Sequence, residues 1–291
     1  YGARGVWMAV FHSISAFCNA GFDLMGTKEA PYVSLMGYAS HPVINVTIML
    51  LIVIGGIGFL TWDDVRTNGI HLRRYRMQSK VILVMTTLLI LFPALYFFFG
   101  EFAALPLGSR LTASLFQAVT PRTAGFNTVD LSQMTGAGQL IIIVLMLIGG
   151  SPGSTAGGMK TTTIAVLFAN AMAVFGRREA PHFFGRRLED SAIRSAATIL
   201  MMYLCLFLAG GWIISISEGL PMGVCLFEAA SAIGTVGLSL GLTPGLGTVS
   251  RIVLILLMFL GRVGGLTLIY AALSSTQKRP SKLPQDKITV G

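Results

Sequence analysis

The chain is short of charge. Only 11% of its 291 residues are Asp, Glu, Lys or Arg, against 54% hydrophobic. A soluble domain carries about a quarter charged residues, so this shortage excludes an ordinary soluble fold. Cysteine is scarce as well. Cys18, Cys205 and Cys225 lie in or beside apolar runs, without the spacing of a metal site. That excludes a disulfide framework and a zinc module, and the three thiols read as reduced packing residues. Four scattered histidines supply no ligand set, and acidic residues number 12 against 21 basic ones. No cleavable signal peptide is visible, and the chain opens at Tyr1 inside an ongoing pattern.

Long apolar runs are abundant instead. The clearest are 43–60, 81–99, 138–148, 195–216 and 252–270, and the mean hydropathy is +0.74. A helix needs about 20 apolar residues to cross a hydrocarbon core, so the pattern is that of a polytopic, all-α integral membrane protein. The net charge of +9 is unevenly placed. Segments 66–80, 176–194 and 276–287 hold five, five and four of the 21 Lys and Arg. The connections around 26–42, 100–110, 127–139 and 217–221 hold only Lys28 and Arg110. One-sided loading of this kind marks cytoplasmic loops. Orientation near anionic lipid therefore accounts for the basic clusters better than nucleic-acid binding does.

Three stretches align: 11–23 FHSISAFCNAGFD, 116–127 FQAVTPRTAGFN and 227–239 FEAASAIGTVGLS. Each starts with Phe and a polar residue (His12, Gln117, Glu228), continues to a hydroxyl (Ser15, Thr120, Ser231) and ends in a Gly turn. The second copy is one residue shorter before its Gly. Glycines 21, 125 and 237 are 104 and 112 residues apart, room for two spanning helices and their loops. About ten residues too short to span precede each turn, and a polar segment and a long apolar run follow. The unit is a spanning helix, a re-entrant pore helix, an extended loop and another spanning helix. Pore helices are expected at 6–17, 111–119 and 222–231, with their negative C-terminal ends aimed at a central vestibule. Extended backbone at membrane depth is tolerated where it is buried in protein or lines water. If its carbonyls replace an ion's hydration shell, some residues need positive φ, which Gly reaches freely.

These motifs resemble the Trk/Ktr/HKT superfamily of potassium transporters over essentially the whole chain, and look closest to the bacterial Ktr membrane subunit. The resemblance implies repeated helix–pore helix–filter loop–helix units around a pseudo-fourfold pore. It places Asn19, Ala20, Gly21 and Phe22, then Thr123, Ala124, Gly125 and Phe126, then Thr235, Val236, Gly237 and Leu238 in the selectivity filter. Three filters are present and the first repeat is absent from this chain, along with the leading helix of the second. On this division residues 1–65 carry the pore helix, filter and inner helix of repeat 2. Residues 66–175 form repeat 3, 176–275 repeat 4, and 276–291 a cytoplasmic tail. The transported ion implied is K+, with Na+ as a second candidate. The partners implied are membrane lipid, a second copy in a homodimer, and a cytoplasmic nucleotide-binding ring of RCK type (KtrA-like).

The run 149–163, GGSPGSTAGGMKTTT, imitates a phosphate loop without being one. Met159 separates Gly158 from Lys160-Thr161, and an apolar helix rather than a strand precedes it, so the G-x-x-x-x-G-K-[ST] requirement fails. Pro152 and the glycines interrupt an inner helix with apolar segments on both sides, 140–148 and 164–175. Freed backbone groups at that depth need water or protein partners, so the expectation is an irregular plug beneath the filter. The resemblance makes it the gate, built from Gly149, Gly150, Ser151, Pro152, Gly153, Ser154, Thr155, Ala156, Gly157, Gly158 and Lys160. Arg262 interrupts the last apolar run, eleven residues beyond Arg251. An arginine there is expected to face a cavity, and the resemblance implies that it guards the pore electrostatically. Arg122 is expected to pack behind the filter. Asp23 reads as a cation-concentrating carboxylate or a solvated loop residue. His12, Gln117 and Glu228 are expected to hold filter backbone or to face the vestibule.

The function expected is channel-like K+ uptake at the cell membrane without covalent chemistry. One competitor is a secondary cation symporter with discontinuous helices. The other is an intramembrane hydrolase using Ser151 or Ser154 with His12, for which the spacing offers no nucleophile elbow.

Overall fold

A computed structural model describes residues 2–264, and the tail at 276–291 lies outside the described residues. The described chain is helical apart from loops and one small hairpin. The helices are α1 (Gly2–Phe17), α2 (Pro42–Gly56), α3 (Phe59–Asn68), α4 (Met77–Tyr96), α5 (Leu107–Val119), α6 (Gly136–Leu147), α7 (Thr161–Phe175), α8 (Asp190–Glu218), α9 (Met222–Gly234) and α10 (Thr248–Val263). Two are each long and apolar enough to cross a membrane, α8 and α4 with its π-helical extension to Glu101. The α2–α3 pair passes the same test as one span bent by 98°. Large apolar side chains such as Phe92, Phe168, Met201, Trp212 and Phe259 stay exposed on the outer faces, as contact with lipid would have them.

The three short helices preceding the Gly turns are α1, α5 and α9, with 16, 13 and 13 residues. At 1.5 Å per residue none spans a ~30 Å core. Pro106 and Pro221 stand just before α5 and α9, where a missing N–H costs nothing. Their apolar faces close two cores. The larger gathers Phe227, Ala230 and Ile233 of α9 with Ile142 and Met146 of α6 and Tyr203 and Phe207 of α8. The smaller joins Ala16 of α1, Ile48 and Ile52 of α2, Phe116 and Val119 of α5, and Phe126.

The inner helices differ from the expectation of unbroken runs. The segment 43–60 breaks at Ile57–Gly58, where Gly58 has φ 90° and ψ 144°. The run beyond Arg251 leaves helical geometry at Gly264, with φ 85° and ψ 141°. The two breaks share one non-helical conformation that L residues avoid. Arg262 thus stands in the last turn of α10 rather than mid-helix, where a cation suits the helix dipole. The middle inner helix breaks after Leu147 and resumes at Thr161.

Two strands, β1 (His182–Phe183) and β2 (Arg186–Arg187), form a hairpin inside the second basic cluster. Phe184 and Gly185 both take positive φ at its turn, as a two-residue hairpin loop requires. Lys80 of the first basic cluster lies over the Phe184 ring, 5.7 Å from its centroid. The two basic connections therefore meet at one end of the molecule. Of the cysteines only Cys225 is buried, while Cys18 and Cys205 are exposed, which corrects the reading of all three as packing residues.

Candidate ion filter and gating loop

The three Gly turns adopt one backbone pattern. Asn19, Thr123 and Thr235 take φ of 50°, 68° and 53°, and Gly21, Gly125 and Gly237 follow with 72°, 83° and 93°. A β-branched residue at positive φ is an outlier, so two threonines held there mark an imposed geometry. The hydroxyl of each repeat supplies part of the constraint. Ser15 Oγ donates to the Phe22 carbonyl at 2.8 Å, and Thr120 Oγ1 donates to the Phe126 carbonyl at 2.6 Å. Ser231 Oγ accepts from the Gly237 N–H at 3.1 Å. The same residues' carbonyls accept from the Ala20, Ala124 and Val236 N–H groups at 2.9, 3.0 and 2.8 Å. The shorter second copy makes this last bond over four residues instead of five and still closes it.

The three turns are brought together backbone to backbone. A Cβ on Gly21 would fall 2.2 Å from the Ala124 carbonyl oxygen, and one on Gly125 would fall 2.1 Å from that of Val236. Each Gly thus abuts the next copy at the equivalent residue. Gly237 has nothing within 4 Å of its Cβ position, and at the other end Phe22 is 70% exposed whereas Phe126 is 0%. The row is closed in the middle and open at both flanks. Phe126 wedges against the first copy, its ring 6.3 Å from that of His12.

Outside the turns, the repeated polar position acts in two copies of three. His12 Nε2 accepts from the Leu24 N–H at 3.2 Å, and Glu228 Oε1 accepts from the Leu240 N–H at 2.9 Å, each twelve residues on. Glu228 also accepts from the Ser239 and Thr243 hydroxyls, both at 2.7 Å. The His12 Nδ1 lies 2.6 Å from the Met8 carbonyl. This places the ring proton on Nδ1, because the other nitrogen is an acceptor. Gln117 departs from the expectation. It is fully buried, and neither amide atom finds a partner. Asp23 accepts from the Met25 N–H at 2.9 Å, a local turn. Arg122 is 3% exposed and reaches behind the turn to Thr86 of α4 at 3.2 Å.

The loop from Gly149 to Lys160 packs against the first and third of these turns. Its ends are zipped: the Gly149 N–H donates to Met159 at 2.7 Å, and the Thr161 N–H to Gly150 at 3.0 Å. Its middle is docked on the α2 break. The Ser151 and Thr155 N–H groups donate to the Gly56 and Gly55 carbonyls at 3.0 and 3.3 Å, and the Phe59 N–H donates to Gly153 at 2.9 Å. Groups orphaned by the broken helix are thereby satisfied, as membrane depth demands. On one side Thr155 Oγ1 lies 3.0 Å from the Phe17 carbonyl and 3.3 Å from Asn19 Oδ1. On the other, Gly157 presses on Thr235, whose Oγ1 would sit 2.0 Å from a Cβ there. The loop therefore runs from the first turn to the third.

Two cations hold the loop. Arg262 donates from an Nη to the Thr155 carbonyl at 3.0 Å. Lys160 Nζ donates to Ala156 at 2.7 Å and to Gly157 at 3.4 Å. Pro152, Ser154 and Gly158 complete the curve, Ser154 Oγ donating to Ser151 at 2.7 Å. Ser151 Oγ lies 3.3 Å from Thr161 Oγ1, and both nitrogens of His12 are engaged elsewhere. Neither Ser151 nor Ser154 is paired with His12. Sequence reasoning missed the docking on α2, although IGGIG at 54–58 carried the signal.

A family model described as TrkH, cation transport protein, matches residues 1–287. The chain is 36% identical over 300 residues to the potassium/sodium uptake protein NtpJ of Enterococcus hirae, a match covering 99% of this chain and 65% of that protein. It is 34% identical over 298 residues to the Ktr system potassium uptake protein B of Bacillus subtilis, covering 100% and 65%. The chain thus spans 65% of the length of these curated relatives. The crystal structure of the potassium transporter TrkH from Vibrio parahaemolyticus shares the fold, with a TM-score of 0.72 at 22% identity over 91% of this chain and 58% of that one. With its repeated turns, broken inner helices and a family match across nearly all its residues, this chain belongs to the TrkH family of cation transport proteins.

Proposed function

We propose that the chain contributes three filter repeats and the gate of a channel-like pore that takes up K+ across the cell membrane, as the pore subunit of a Ktr-type system. The carrying observation is the contact of Gly21 with Ala124 and of Gly125 with Val236, three like turns abutting in sequence order. The Phe22 and Phe126 carbonyls are engaged by hydroxyls, so in the first two turns the first three residues supply the free oxygens. Those oxygens replace the hydration shell of a monovalent cation. The hydroxyl bonds keep the turns from collapsing once the ion has passed.

Residues 149–160 are the gate. Seated, the loop blocks the path beneath the filter, and Lys160 and Arg262 oppose a cation at that level. Its ties to α2, α3 and Arg262 are a handful of hydrogen bonds worth on the order of 1 kcal/mol net each. Reversing a two-state equilibrium from 1:99 to 99:1 takes about 5.5 kcal/mol of differential binding. A bound regulatory partner can supply that much. The RCK-type ring and a homodimeric pore subunit are the assembly proposed, with the basic connections 66–80 and 176–194 facing the cytoplasm.

The symporter reading keeps one supporting observation, the discontinuous pairs α2–α3 and α6–α7. Its inverted repeats are not matched, because the three turns follow their pore helices in one sense. Flux in liposomes separates the two. The pore predicts graded permeation of K+, Rb+ and Na+ with choline excluded, and saturable obligatory coupling to a second ion would overturn it.

A further inference from the structure

Three side chains stand at the equivalent positive-φ position of the turns, and one of them is unlike the others. Thr123 and Thr235 carry hydroxyls, while Asn19 carries an amide that can donate and accept at once. Asn19 is buried. Its Nδ2 donates to the Arg122 carbonyl at 3.1 Å, the residue immediately before the second turn, and lies 3.5 Å from Thr123 Oγ1. Its Oδ1 accepts from Thr155 of the loop. A single side chain therefore touches two filter segments and the gate.

Thr155 is the matching residue on the loop. Its hydroxyl has three acceptors in reach: the Phe17 carbonyl at 3.0 Å, the Gly55 carbonyl at 3.1 Å and Asn19 Oδ1 at 3.3 Å. One proton serves one of them at a time, and two of the three belong to α1 and the turn that follows it. The seat has no spare room. A Cβ on Gly55 would lie 1.9 Å from the Phe17 carbonyl oxygen and 3.0 Å from Asn19 Oδ1. By contrast Thr235 meets the loop only through packing on Gly157. The polar link between gate and filter is concentrated on the first turn.

We propose that Asn19 is a positioning residue, paired with Thr155, that makes ion selectivity depend on whether the gating loop is seated. The inference rests on the reading of residues 149–160 as a gate. When the loop leaves, Asn19 Oδ1 loses its partner, and a buried acceptor left unmade is costly. The amide turns to find water, and the donor end leaves Arg122 with it. The first and second turns then lose the bond that sets their separation. Carbonyl filters discriminate by the number, spacing and stiffness of their oxygens, so K+ and Na+ become harder to tell apart. Tight selectivity belongs to partly withdrawn states in which Thr155 still meets Asn19, and a looser filter to the fully withdrawn one.

The test measures the K+/Na+ flux ratio, alongside total K+ flux, of the protein in liposomes. The variants are Thr155→Val, Thr155→Ser, Asn19→Ala, the pair Thr155→Val with Asn19→Ala, and a deletion of 153–158. Thr155→Val and Asn19→Ala each lower the ratio about fivefold, the scale of one net hydrogen bond. The double variant falls no further, as coupled residues require, and Thr155→Ser keeps the wild-type ratio. An unchanged ratio in Thr155→Val, or independent multiplication of the two effects, overturns the proposal. Should Asn19→Ala fail to assemble, the Val and Ser variants of Thr155 decide alone. The deletion separates the two layers. Total flux that does not rise rejects the gate, whereas a raised flux with an unaltered ratio keeps the gate and rejects the coupling.

Discussion

The three Gly turns and the loop 149–160 are both irregular backbone among apolar helices, yet they are held in opposite ways. Each turn is secured by its own pore helix, through bonds such as Ser15 to Phe22 and Thr120 to Phe126 that close within seven residues. The loop is secured by distant segments: Thr155 reaches Gly55 and Phe17, and Arg262 reaches Thr155 across 107 residues. Local closure keeps the shape of each turn tied to its own helix. Remote closure makes a part whose ties can be released together while the hydroxyl bonds inside each turn stay closed. The contrast thus lies in the sequence distance of the partners rather than in the kind of bond.

The largest effect that would break this contrast is expected at the contact between turns. Gly125→Ala places a Cβ 2.1 Å from a backbone oxygen at φ 83°, and backbone strain alone costs on the order of 1–3 kcal/mol there. Ion flux should fall at least about tenfold with the protein still assembled, and near-normal flux would show that the turns tolerate separation. Next comes the gate. Deleting 153–158 should raise K+ flux in the absence of any cytoplasmic partner, and unchanged or lower flux in a folded protein would reject the loop as a gate. Arg262→Ala removes one bond to Thr155, worth on the order of 1 kcal/mol. It should open the pore less than the deletion, read as an intermediate flux.

Smaller still, and local to one turn, Glu228→Gln weakens three accepted bonds without moving the gate. Thermal unfolding should come earlier while the dependence of flux on the loop is kept. The smallest effect is at Asp130, in the connection before α6. Its carboxyl is held below the usual carboxylate range by the Ser132 hydroxyl and N–H, side-chain bond first. A lowered folded-state pKa stabilises the fold above the unfolded value, and this is lost as pH falls through the folded one. Asp130→Asn should therefore flatten the acid end of the stability–pH curve slightly, with flux untouched at neutral pH.

Much of the turn geometry was legible because it depends on local chemistry. A Gly that must take positive φ, a hydroxyl five or six residues before it and a half-length helix ahead are all sequential features. They marked Gly21, Gly125 and Gly237 with Ser15, Thr120 and Ser231, and they put Arg122 behind the turn. Local features could not show that Gln117 would go without the loop bond its counterparts make, because that depends on where the neighbouring backbone ends up. They said nothing of where α10 ends, since hydropathy cannot see a helix that leaves helical geometry at Gly264. The α2 break escaped for the same reason: Ile57 and Gly58 are apolar and small enough to pass as helix.

Composition and repetition by themselves determined that this protein lives in a membrane, carries three like turns, and has one inner helix interrupted by small residues. Each of these follows from transfer energies and backbone conformations that a residue brings with it. Only the tertiary structure decided that the interrupted segment lies on the broken end of α2, touches the first and third turns, and meets Asn19 through Thr155. The contacts of Thr155 with Phe17 and Asn19 join residues 138 and 136 positions apart, and nothing in a residue's own chemistry names a partner at that distance.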